Sequence, residues 1–106
     1  MQIQINTDHN IEADDRLTEE VDATVRGTLG HLSSRLTRVE IHLSDQNSDQ
    51  KSGSEDKRCL LEARLSGHQP ISVSHQASTL EEAVDVAAVK LKHALDSTIG
   101  RLDPHQ

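Results

Sequence analysis

The sequence predicts an α+β fold: a two-layer sandwich of order β-α-β-β-β-α, with a four-stranded mixed sheet and two helices on one face. Three observations predict it. Four short segments alternate polar and apolar residues, the period of a strand with one buried face. Two longer segments repeat apolar residues every three or four positions, the period of an amphipathic helix. The last three strand-like segments follow one another with no helix between them, so they form an antiparallel meander. The first helix can return the chain for a parallel pairing by a right-handed crossover.

The first strand is read from Gln2, Ile3, Gln4, Ile5 and Asn6. After a mostly polar stretch from Thr7 to Ala13, Asp14 is a candidate N-cap, and Asp15, Glu19 and Glu20 suit the positive end of a helix dipole. Leu17, Val21, Val25 and Leu29 then form a stripe, with Thr24 and Thr28 beside it. Two endings are open: Gly30 caps the helix, or the helix frays on to Ser33. The second strand spans Leu36 to Ser44, with Val39, Ile41 and Leu43 on one face and Arg38, Glu40 and His42 on the other.

Asp45 to Asp56 reads as a flexible polar loop, and the third strand is Lys57 to Ser66, with Cys59, Leu61, Ala63 and Leu65 on its dry face. Gly67, His68, Gln69 and Pro70 make a turn before the fourth strand, Ile71 to Gln76. Ser78 and Thr79 each fit a capping box, with Glu81 and Glu82 respectively. Leu80, Ala83, Val84, Ala87, Leu91, Ala94 and Leu95 follow, and the stripe continues to Leu102, with Pro104 past its end.

The 106 residues suffice for a single domain, 1–106. Leu, Ile and Val supply 25 residues and Phe, Tyr and Trp none, so the core is thin and aliphatic, and stacking on bases by aromatic side chains is excluded. No apolar run approaches membrane-spanning length and no signal peptide is visible, which together with a lone Cys59 suggests a cytoplasmic protein with no membrane partner. The net charge of −7 argues against non-specific nucleic-acid binding but not against a local basic face, and seven histidines would add positive charge in mildly acidic solution.

Chemical sites are sparse. Asp45 to Asp49 starts like a calcium loop, but Gln50 stands where glycine is needed and Asp56 where glutamate is expected. The histidines have no metal-ligand spacing, and Cys59 reads as a buried structural thiol. There is no G-x-S-x-G, P-loop or dinucleotide fingerprint. The expectation is therefore no enzyme, no cofactor, no metal and no small-molecule substrate.

With the element order in hand, the residues resemble the bacterial ribosome hibernation promoting factor family, also known as ribosome-associated inhibitors and sigma factor modulation proteins. The likeness lies in Met1 to Ile5, in Arg35 and Leu36 with Val39 to Leu43, and in Ala83, Val84, Asp85, Lys90, Leu91 and Leu95 of the last helix. It covers nearly the whole chain. The resemblance implies a stress-responsive, short-form regulator that binds the small ribosomal subunit and its rRNA. Such a protein sterically blocks mRNA and tRNA sites, and basic side chains on its helices meet rRNA phosphates.

The rRNA-binding set it implies is Arg35, Arg38, Lys90, Lys92, His93 and Arg101. His93 falls where the family commonly has Arg, Ser97 and Ile99 where it has Lys, and Glu81 where Tyr is frequent. Lys90 and His93 are helical neighbours, and His93 and Arg101 lie about 80° apart around the helix. A second reading stands beside this one: a diverged member acting as a protein-interaction module, whose acidic body meets a basic protein partner without ribosome binding.

Overall fold

In a computed structural model, strand β1 covers Gln2–Thr7, helix α1 Asp15–Leu29, β2 Leu36–Asp45, β3 Lys57–Leu65, β4 Ile71–Ala77 and helix α2 Leu80–Leu102. The structure describes residues 1–46 and 56–102. Residues 47–55, which hold most of the loop read as polar and calcium-like, and the tail from 103 with Pro104 lie outside the described residues.

The strands form one sheet in the order β1-β2-β3-β4. β1 runs parallel to β2, and the other two pairings are antiparallel. α2 lies over β3 and β4, and α1 packs beside α2. Val21, Val25 and Leu29 of α1 join the same core as Val39, Ile41 and Leu43 of β2, Leu61 of β3, and Leu91 and Leu95 of α2. Both helices therefore share one sheet face, as the alternation requires. The fully buried residues are aliphatic apart from Cys59, and no charged or polar residue is buried among the described residues. Burial pushes the Cys59 thiol pKa up to about 12, because the thiolate would lose its water.

Local chemistry explains the element ends. The Leu17 amide donates to Asp14 Oδ1 at 2.8 Å, so Asp14 is the N-cap of α1. At the far end Gly30 keeps right-handed dihedrals and the chain tightens into a 3-10 turn over Gly30–Leu32, which buries Leu32. Both readings of this terminus hold: Gly30 is the C-cap of α1, and the chain continues as a 3-10 turn capped at Ser33. At α2 the Glu82 amide donates to Thr79 Oγ1 at 3.1 Å, which selects Thr79 over Ser78 as the cap. Gly67 has φ of +80°, a left-handed turn conformation that a Cβ would strain, and it reverses the chain between β3 and β4.

Two core positions depart from the sequence reading. Ile11 sits in the polar stretch after β1 yet is buried. Leu36 alternates in phase with Arg38 and should share its wet face. A bulge between Leu36 and Arg38 shifts the register and turns Leu36 inward, to 3% exposure.

Candidate nucleic-acid interface

The six basic residues picked out above occupy three different surfaces. Alternation along β2 puts Arg38 on the open sheet face, where its cross-strand neighbours are Gln2 and Arg64. There its guanidinium lies 3.5 Å from Glu40 and donates to Gln4 Oε1. The sheet thus separates Arg38 from both helices. Arg35 follows the 3-10 turn, at the end of the sandwich. It lines a groove with Ser34, Leu65, Ser66, His68 and Ile99. Its carbonyl accepts from the Ser66 amide at 3.2 Å, tying the turn to the β3–β4 connection.

The remaining four lie on α2, and the helical period divides them. Lys92 and Asp96 are one turn apart on the flank toward α1, with 3.7 Å between Nζ and Oδ2. His31 reaches the same carboxylate from the 3-10 turn that follows α1, at 3.3 Å. Lys90 and Arg101 follow the other flank, that of β4, and His93 stands on the exposed crest, three positions from both Lys90 and Asp96.

Lys90 donates to the Ser74 carbonyl of β4 at 3.1 Å, which fixes the direction of this flank. Arg101 donates to Ser97 Oγ at 3.0 Å, so Ser97 belongs to this flank as well. None of Lys90, His93 and Arg101 has a carboxylate within ion-pair distance among the described residues.

Charge along α2 is polarised. Glu81, Glu82 and Asp85 fill its first turns, and Lys90, Lys92 and Arg101 its second half, where Asp96 is the lone acid. That arrangement follows the helix dipole, acids at the positive end and bases at the negative one. It also leaves basic side chains on a body of net charge −7, and among the described residues the acid of this half, Asp96, is turned toward α1.

Among the described residues no three His, Cys, Asp or Glu side chains are grouped to hold a metal ion. No helix of the described residues is long and apolar enough to cross a membrane.

The chain matches the family described as sigma 54 modulation protein / S30EA ribosomal protein over residues 3–103. It belongs to that family. A ribosomal subunit interface protein from Coxiella burnetii shares the fold, with a TM-score of 0.72 at 15% identity over 94% of this chain and 99% of its own. The Protein Y N-terminal domain of Thermus thermophilus matches equally well, with a TM-score of 0.72 at 19% identity over 92% of this chain and 99% of its own. At these identities the likeness speaks for the fold. No curated protein matches the chain in sequence. The family match and the two structures agree with the β-α-β-β-β-α resemblance drawn from the residues.

Proposed function

We propose that this protein is a ribosome-associated translation regulator that binds the small ribosomal subunit and blocks its mRNA and tRNA sites by occupancy, without catalysis. The observation that carries the reading is the row of basic residues Lys90, His93 and Arg101 on α2, without carboxylate partners among the described residues, in a chain of a ribosome-associated family. Phosphate is the natural ligand for such a row. Lys92, on the opposite flank of α2, and Arg35, at the end of the sandwich, would supply further phosphate contacts beyond the row. The Lys92–Asp96 contact is a solvent-exposed pair and can be exchanged for a phosphate contact at little cost. Arg38 lies across the sheet and stands outside this surface.

With few cations available, affinity depends on salt and on shape fit. The test is co-sedimentation with small subunits and with whole ribosomes. Binding at low salt that is lost at high salt, and lost in Lys90→Glu/Arg101→Glu, is the expected result. Absence from ribosomal fractions at low salt overturns the reading. Ribosome-free capture of a basic protein, unchanged by the double substitution, would favour the interaction-module alternative.

A further inference from the structure

The two edges of the sheet are treated differently. At the β4 edge Lys90 sits on the Ser74 carbonyl, placing a charge on the backbone groups that another strand would need. At the β1 edge Arg26 of α1 donates to the carbonyl of Met1 at 3.4 Å, one residue ahead of the strand. Its six residues, Gln2–Thr7, hold no charge, no proline and no bulge. The Asp8 amide donates to the Leu43 carbonyl of β2 at 3.1 Å, which sets the phase of the strand. Even-numbered residues point their amides and carbonyls at β2. Ile3, Ile5 and Thr7 point theirs outward. Among the described residues nothing pairs with them.

The sequence of β1 is complementary to itself. Laid antiparallel about Gln4, it sets Gln2 against Asn6, Ile3 against Ile5 and Gln4 against Gln4. Apolar residues meet on the dry face and polar ones on the wet face. The dry face also has something to gain: Ile3 and Ile5 are only half-buried, whereas Val39 and Ile41 beside them on β2 are fully covered.

We infer that a second copy of this chain adds to the β1 edge, joining two sheets into one eight-stranded sheet about a two-fold axis through Gln4. Ile3 of one copy and Ile5 of the other exchange both backbone hydrogen bonds, because their groups already point outward. Four isoleucines then form one continuous apolar strip. The arrangement closes: the edges left over are the two β4 edges, each covered by its own Lys90. Association stops at the dimer. It leaves the α2 row open, since β1 and β4 lie at opposite ends of the sheet. Each copy carries a net charge of −7, so screening by salt strengthens this contact, the opposite of its effect on phosphate binding.

Gln4 supplies the test. Its side chain is exposed on the wet face, opposite Glu40 within the chain and opposite its own copy across the axis. That central pair is the non-hydrogen-bonded kind, in which side chains approach most closely. Wild-type, Gln4→Lys and Gln4→Glu chains are followed by sedimentation equilibrium from micromolar to millimolar concentration, with far-UV circular dichroism to verify folding.

The wild type is expected to move from the 11.7 kDa chain mass toward twice that value as concentration rises, more readily at higher salt. Each variant alone is expected to dimerise about fivefold more weakly, through like charges directly opposed. An equimolar mixture of the two is expected to recover wild-type association or better. A wild type that stays at the single-chain mass, a species larger than a dimer, or variants that associate as well as the wild type when alone would each overturn the inference. Ribosome co-sedimentation of Gln4→Lys, expected to be retained, keeps this outcome separate from the function proposed above.

Discussion

The His31 imidazole and the Asp96 carboxylate stand 3.3 Å apart, joining the 3-10 turn after α1 to the second half of α2. Lys92 reaches the other oxygen of the same carboxylate, so Asp96 is the acid that offsets positive charge in the second half of α2. Replacing it alters both a helix contact and the local field. For Asp96→Asn we expect tighter ribosome binding at low salt, because Lys92 is released for phosphate contact. A stability loss of no more than about 1 kcal/mol should accompany it, since both contacts are exposed. Pelleting and urea unfolding read the two effects separately.

The division of α2 into two flanks gives a second expectation. Lys90→Ala should weaken ribosome binding and lower the slope of log affinity against log salt by about one. Lys92→Ala should do less, because that ammonium already faces Asp96. Lys90→Ala should also expose the Ser74 carbonyl at the β4 edge. Titration of ribosome binding across several salt concentrations checks the ordering.

Capping offers a clean comparison at one site. Thr79→Ala removes the acceptor for the Glu82 amide and should cost about 1 kcal/mol, whereas Ser78→Ala should be nearly neutral. In the core, Leu91 is fully buried on the inner face of α2, and Leu91→Ala should cost about 2–5 kcal/mol through lost burial and a residual cavity. Chemical denaturation with a common m-value measures all three.

The Cys59 thiol is held protonated by burial, with its pKa pushed from 9.0 to about 12. In the unfolded chain the thiol ionises near its ordinary value. Between those two pH values the unfolded state binds fewer protons than the folded one, so stability falls as pH rises. This contribution is fully present below pH 9.0 and is lost as pH rises toward about 12. Cys59→Ala should flatten that part of the stability profile while lowering stability at neutral pH. In the native protein at neutral pH, a thiol reagent should react only at the rate of opening.

Much of the fold is legible in the residues because each element carries its own period and its own stop. Val39, Ile41 and Leu43 alternate, Val21, Val25 and Leu29 recur every four, and Asp14 caps as its residue type suggests. What escapes is set by tertiary contact. Ile11 has no periodic neighbours to mark it as core. Leu36 goes inward only because a bulge breaks the alternation, and bulges have no compositional sign here. Thr79 and Ser78 are equivalent on spacing, and only the hydrogen bond separates them.

The candidate site follows the same rule. Spacing along α2 brings Lys90, His93 and Arg101 together, and alternation along β2 already takes Arg38 to the other side of the sheet. That Asp96 is turned toward His31 requires the packing of α1 against α2, which no single segment encodes.

The parallel pairing of β1 with β2 has a kinetic consequence. Ile5 meets Ile41 only after the whole of α1 has been laid down between them, whereas β3 and β4 meet across a short turn at Gly67. Closing the longer loop costs more chain entropy before any contact rewards it. The β3–β4–α2 unit is therefore placed to form first and β1 to dock last. In native-state hydrogen exchange, the β1 amides should be released by a partial opening while those of α2 await global unfolding.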